Sequence, residues 1–348
     1  SFCESDLYSA LKQGKTSGEI TFHHEIKNQK DSSINNSGFT AGTVAVSYET
    51  GVFHNFSAKV GFRAGHKFAE EENGDYEKDF VRDSIISELF VKYSNEVLSL
   101  KIGRQDIDLE WLGYSNEAII LELNSIEDIT ITTGFSNRQT ISDINDIGEF
   151  KKITDKGLYF LEMKYSGFKQ YEITPYNYYM DDVANLYGLK VIYTSDYFEL
   201  KAQYAKTEEY VSGVGDGRIT HIEYSTDIKS FGLKAGYINT NENGIPSMYK
   251  FGESIEPTKR IGLGIYGEDS DSFYGVVSTK ISKTNLAFVY ANTNYTLDSE
   301  DKELEEVRFF VKHQISSEFS VSLDYTRVIA ELSTDEFDVT EVSFIYSF

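Results

Sequence analysis

Charged residues recur in this chain at every second position of short extended segments, a spacing that strings fixed charges along one wall. Lys59 and Arg63 alternate with Ala58, Val60 and Phe62; Lys164 alternates with Met163 and Tyr165; Arg308 and Lys312 alternate with Val307, Phe309 and Val311. Lys92, Lys101, Glu122 and Glu341 occupy equivalent positions in other segments. The chemistry open to such rows is electrostatic. Charges of both signs facing water create a transverse field that orients dipolar or zwitterionic solutes. The plainer alternative is that Lys and Glu on neighbouring strands satisfy one another, and most of these residues are expected to pair in that way.

Other chemistries find less support. Six histidines are present, His23, His24, His54, His66, His221 and His313, and none carries a local catalytic signature such as a nucleophile elbow. His23 and His24 point to opposite sides of a strand, so they make a poor metal pair. Acidic residues crowd the stretch from Phe68 to Asp83, where Glu70, Glu71, Glu72 and Asp75 offer oxygen ligands to a divalent cation such as Ca2+. The stretch lacks the glycine-spaced pattern of an EF-hand, so a merely solvated loop is the competing reading. No cofactor is required. A formal net charge of −23 argues against nucleic acid.

The elements that position these charges are strands. Phe319, Val321, Leu323 and Tyr325 alternate with Ser320, Ser322, Asp324 and Thr326, and the final segment sets Val342, Phe344, Tyr346 and Phe348 against Glu341, Ser343 and Ser347. A period of two repeated along a chain is a strand signature. About eighteen segments of roughly ten residues follow it, the length of a tilted strand crossing a bilayer. Greasy on one face and charged on the other, they predict an all-β transmembrane antiparallel barrel with lipid outside and water within. With 25 Tyr and 24 Phe, the chain is rich in residues of interfacial girdles. A mean hydropathy of −0.38 is no objection, because a barrel needs apolar residues at only half its strand positions. No apolar run is long enough for a transmembrane helix.

Short connections, as at Ser94 to Val97 and Ser282 to Asn285, alternate with longer polar ones, notably Phe68 to Asp83, Arg138 to Lys156, Asn241 to Asp271 and Tyr295 to Glu305. Short periplasmic turns and long extracellular loops give this alternation and set the orientation, with Phe348 at the periplasmic rim. Residues 1–15 read as a periplasmic or plugging lead-in with a short helix between Asp6 and Gly14, and residues 16–348 as a single barrel. The chain opens Ser1, Phe2, Cys3, Glu4 without a basic segment and apolar core, as in a processed form or a cytosolic protein. Cys3 reads as a bland exposed thiol.

The stretches Ala10 to Lys15 with Gly18 to Phe22, Ser47 to Gly51, and Lys101 to Gln105 resemble the OprD-type outer-membrane porins and their epsilonproteobacterial major-porin relatives. The resemblance runs through essentially the whole chain in strand order. It implies an eighteen-stranded barrel in the bacterial outer membrane, a homotrimer, passive uptake of small hydrophilic solutes, and contacts with lipid, lipopolysaccharide and the barrel-insertion machinery through Phe348. It further implies that loops after Arg104 and after Arg138 fold inward to narrow the pore, with Asn241 to Asp271 contributing. In that family a ladder of basic residues draws in carboxylate-bearing substrates; here Lys59, Arg63, Lys92, Lys101 and Arg308 would form it. This ladder is mostly lysine and interspersed with carboxylates. The first constriction segment would carry Asp106, Asp108 and Glu110, and an acidic constriction favours cations or mixed-charge solutes. A modest cation preference is therefore expected, with a channel selective for amino acids or small carboxylates as the alternative. A non-conducting structural or adhesive barrel and a barrel enzyme rank below both, and a soluble β-sandwich would have to bury every aromatic face in a shared core.

Overall fold

The structure is a computed structural model and describes residues 6–248, 251, 252, 255 and 257–348; Cys3 and the first residues of the lead-in lie outside them. Helix α1 (Leu7–Lys12) precedes β1 (Lys15–Gln29), β2 (Ser37–Glu49) and β3 (Phe56–Glu70). After α2 (Asp75–Asp79) come β4 (Ser84–Ser94), β5 (Leu98–Asp106), β6 (Ser115–Ile126), β7 (Ile129–Thr140) and the two-residue β8 (Lys151–Lys152). Then follow β9 (Leu158–Phe168), β10 (Tyr171–Met180), β11 (Ala184–Thr194), β12 (Phe198–Glu209), β13 (Arg218–Ile228) and β14 (Phe231–Thr240). Helix α3 (Gly262–Ile265) leads to β15 (Glu268–Ile281), β16 (Thr284–Leu297), β17 (Glu300–Gln314), β18 (Phe319–Ala330) and β19 (Phe337–Ser347).

These 19 strands form one antiparallel sheet in which β8 pairs only with β7, as part of a loop. The other eighteen build the wall, which closes where β1 pairs with β19 from Glu19↔Ser347 to Gln29↔Phe337. The last residue completes the seam. Gly18 N–H donates to Phe348 O at 2.8 Å and Phe348 N–H to Gly18 O at 3.0 Å. The Phe348 ring lies over Gly18 in the space a Cβ would take, so any larger residue at position 18 would move that ring. Closure leaves neither the first nor the last strand as a free edge, the condition for a sheet in lipid.

The alternation read from the sequence sorts the residues as expected. Phe344 and Tyr346 are exposed on the outer face, whereas Glu341 and Ser343 are buried within the lumen. Outward aromatics cluster in bands: Phe198 stacks on Tyr224 and Tyr171 packs on Tyr193 toward the periplasmic end, Tyr237 on Phe273 and Phe135 on Tyr159 toward the other. Such bands anchor a barrel at its two interfaces. Periplasmic connections are two to six residues long.

Helix α1 is capped by Asp6, whose carboxylate accepts from Tyr8 N–H at 3.1 Å. It packs under the first turn, with Gly51 N–H donating to Ala10 O. One expected long loop is absent. Instead of an open Tyr295 to Glu305 connection, β16 and β17 continue outward and join through Asp298 and Ser299 at φ 53° and 65°. Two successive left-handed residues make a tight hairpin turn, and a run of carboxylates around it hides strand pairing from a composition-based reading.

Candidate functional site

The inward loops decide the shape of the lumen. Strand β5 leaves β4 after Leu89↔Arg104 but stays paired to β6 as far as Asp106↔Ser115. Its bend falls at Gly103, φ +130°, where a Cβ would strike the backbone of β4; only glycine adopts that conformation readily. Beyond the bend, the hairpin of residues 107–114 crosses the barrel. At its tip, Trp111 N–H donates to Tyr178 Oη at 3.1 Å, Glu110 N–H to Glu162 Oε1 at 2.8 Å, and Lys190 pairs with the Glu110 carboxylate. Gln203 Nε2 also donates to Glu110 at 3.3 Å.

The connection from 241 to 267 descends beside this hairpin. Ile245, Met248, Phe251, Ile265 and Tyr266 join Trp111 and Leu112 in one buried apolar cluster against Phe160, Tyr178, Met180, Leu186, Ile219 and Ile238 of the wall. Part of the barrel is thus filled by a core like that of a soluble protein. This explains why the lumen faces of β9 to β16 carry Ile, Leu and Tyr as well as Lys and Glu.

Water-accessible space remains beside this core, between β4 to β7 and the periplasmic ends of β9 to β11. A cavity of about 530 Å³ is lined by four lysines, Lys92, Lys101, Lys164 and Lys190, and by six carboxylates, Asp106, Asp108, Glu110, Glu122, Glu162 and Glu172. It shares Lys92 with a larger space of about 760 Å³ at the periplasmic mouth. It shares Asp106 with a space of about 230 Å³ that Glu19, Arg63 and Glu88 line. Asp106, accepting from Ser115 Oγ at 2.5 Å, therefore stands where two spaces meet.

Most expected wall residues are paired. Lys59 meets Glu88 at 2.7 Å, Arg63 meets Glu19 at 3.3 Å, Lys164 meets Glu172 at 2.6 Å, and Arg308 forks onto Asp324 at 2.6 Å. Among the described residues Lys92 and Lys101 have no ion-pair partner; Lys101 Nζ lies 4.9 Å from the Phe90 ring centroid. Lys312 is on the lumen face of β17, also without an ion pair among the described residues, and Glu122 accepts from Asn124 at 2.9 Å. Arg104 and Arg138 are elsewhere: both reach Glu117, at 2.9 and 3.9 Å, and neither lines the main cavity. Arg104 also donates to Ile86 O at 3.0 Å, a carbonyl of β4 in the stretch beyond its pairing with β5.

The acidic stretch 71–83 folds inward as well. Tyr76 and Phe80 are buried with Phe39 and Ile147. Asp75 accepts from Gly38 N–H at 2.9 Å, Glu72 N–H at 3.0 Å and Lys78 Nζ at 2.7 Å, and Glu70 accepts from Lys67 Nζ at 2.9 Å. Both carboxylates hold the loop's own backbone and lysines, whereas Glu71 and Glu72 are exposed. Against this loop docks the segment 143–148, whose Ile147 N–H donates to Asp79 O at 3.0 Å. Burial, with Asp143 and then Asp79 nearby, pushes the Asp146 carboxyl up to about 7. Its protonated form is favoured in the docked loop, so docking is strongest below the ordinary carboxylate range near 4. It weakens as pH rises from 4 to 7 and is level above. Hydrogen-exchange protection of Ile147 is expected to fall over that window, and Asp146→Asn to flatten the fall.

Sequence reasoning missed the pair Lys259 and Arg260. The Glu306 carboxylate accepts from their backbone N–H groups at 2.9 and 2.8 Å. Lys259 Nζ reaches Asp324 at 3.0 Å and also Glu341, while Arg260 reaches Glu25 at 2.9 Å and Glu341 at 2.5 Å. This clasp ties the plugging connection to β1, β17, β18 and β19. Adjacent basic residues before an apolar stretch, Thr258 to Ile265, were the only signal.

A closed barrel of eighteen strands, apolar outside and polar along a narrowed lumen, is an outer-membrane channel for small solutes. The sequence matches the Gram-negative porin family over residues 13–331, and the chain belongs to that family. Solved structures of OprD/Occ porins share its fold. Pseudomonas aeruginosa OccK3 (OpdO) is 12% identical with a TM-score of 0.81, covering 98% of this chain and 97% of that one. Acinetobacter baumannii OccAB1 is 11% identical with a TM-score of 0.80, covering 97% of each. A. baumannii OccAB4 is 12% identical with a TM-score of 0.79, covering 96% of this chain and 98% of that one. No curated protein sequence matches this chain.

Proposed function

We propose that this porin passes small hydrophilic solutes and ions by passive diffusion, with a modest preference for cations and for solutes carrying both charges. The observation that carries the reading is the main cavity, where six carboxylates outnumber four lysines and two of those lysines, Lys92 and Lys101, have no ion pair among the described residues. Carboxylates crowding a narrow path raise the local concentration of cations. Lysines with no partner supply the opposing side of a transverse field, the arrangement that orients amino acids and other zwitterions. The same lysines favour the second reading, a channel selective for amino acids or small carboxylates. Family membership supports a channel rather than a barrel enzyme, and the resemblance to OprD-type porins supports a homotrimer.

Reversal potentials across a planar bilayer with a KCl gradient test the first reading. A potential of the sign that marks cation preference is expected, and an anion-selective potential would overturn it. Liposome swelling with amino acids, organic acids and sugars then separates general diffusion from selectivity.

A further inference from the structure

Along the barrel seam, Glu25 of β1 stands opposite Glu341 of β19, and His23 stands opposite Ser343. A ring nitrogen of His23 and one carboxylate oxygen each from Glu25 and Glu341 lie within 4.8 Å of one another. Atoms that share a Zn2+ ion sit about 2.0–2.2 Å from it, hence at most about 4.4 Å apart, so small side-chain adjustments bring the three onto one ion.

A second observation concerns His23 itself, which is 1% exposed. Its Nδ1 contacts Ser343 Oγ at 2.9 Å, while Nε2 is buried without a hydrogen-bond partner. Buried polar atoms without partners are uncommon and ask for a reason. An imidazole held through one nitrogen, with the other open, is how metal-binding histidines are oriented.

The positive charges at this place are the guanidinium of Arg260, which bridges Glu25 and Glu341, and the ammonium of Lys259, which reaches Glu341 alone of the three ligands. The Arg260 Nε has no hydrogen-bond partner among the described residues, so the fit of the guanidinium is incomplete. We infer that His23, Glu25 and Glu341 form a site for a divalent transition ion of the Zn2+ type, which binds in competition with Arg260. The donor set decides the class of ion. One imidazole and two carboxylates suit Zn2+, whereas Ca2+ takes oxygen ligands only. Binding is ligand exchange alone: the ion takes the carboxylates, and Arg260 turns to water in the lumen.

The test is equilibrium dialysis of the full-length, detergent-solubilised barrel against Zn2+ alone, with circular dichroism confirming that each variant is folded. Arg260→Ala, lacking the competitor, is expected to bind Zn2+ about tenfold more tightly than the parent. His23→Asn, which keeps a polar group for Ser343, is expected to bind on the order of 10- to 100-fold more weakly, as does Glu341→Gln if His23→Asn does not fold. Excess Ca2+ should leave Zn2+ uptake unchanged. Equal uptake by the parent, the Arg260 variant and the His23 or Glu341 variant would overturn the site, as would full displacement by Ca2+.

Discussion

Arg260→Ala is expected to give a channel with higher and noisier single-channel conductance than the parent in a planar bilayer. The reason is the clasp. Arg260 reaches Glu25 and Glu341 from a connection that is also held by apolar contacts, by the grip of Glu306 on the backbone, and by Lys259 on Asp324 and Glu341. Removing one partner of a fully buried ion pair costs about 3–5 kcal/mol, because the remaining charge is left without compensation. The Arg260 side chain is 27% exposed, so about 2 kcal/mol is the fitting scale here. At 1.4 kcal/mol for each factor of ten, that shifts the docked-to-undocked ratio of the loop by about 30-fold. The wall should survive, since its strands are joined by backbone ladders that the clasp does not touch. Lys259→Ala should have a smaller effect, because Glu306 and Arg260 still hold the segment. Conductance traces of Arg260→Ala indistinguishable from the parent would show that the apolar cluster, Lys259 and Glu306 seat the plug without it.

Neutralising Asp106 and Asp108 together is expected to cut the cation-to-anion permeability ratio by roughly three- to fivefold for each charge, the influence of a unit charge about 4–5 Å from a hydrated ion. Both are exposed in the main cavity, and Asp106 also borders the next one. Glu110 is expected to contribute little, because Lys190 already compensates it at the hairpin tip. Removing Glu71 and Glu72 should change the ratio less than removing the two aspartates: charges in open water are screened within about 8 Å at physiological salt, and those in a narrow path less so. The reversal potential of Asp106→Asn/Asp108→Asn is the measurement. A ratio unchanged in this variant but altered by Glu71→Gln/Glu72→Gln would move selectivity from the constriction to the mouth.

The wall was legible residue by residue. Val60 and Phe62 outward, Lys59 and Arg63 inward, and Phe344 and Tyr346 outward against Glu341 all follow from the alternation. The site was legible only in part. Asp106 and Asp108 face the cavity, whereas Arg104 and Arg138, after which the inward loops were expected to begin, meet at Glu117. Arg308 and Glu341 are on the lumen face as read, yet Asp324 and the clasp residues engage them. Lys259 and Arg260, with no strand pattern around them, gave no sign that they would reach the wall.

By itself the sequence determined the solvent on each side of the strands, the alternation of short and long connections save at Tyr295 to Glu305, and the charge each strand presents inward. These are properties of a residue and its neighbours two positions away, because pleating alternates side chains and lipid penalises any error. Only the tertiary structure decided which inward charges meet water. That depends on where the hairpin bent at Gly103 and the connection from 241 to 267 come to rest. Their resting place is set by apolar burial and ion pairs between residues up to about 235 positions apart, as Arg260 and Glu25 are, which no local pattern encodes.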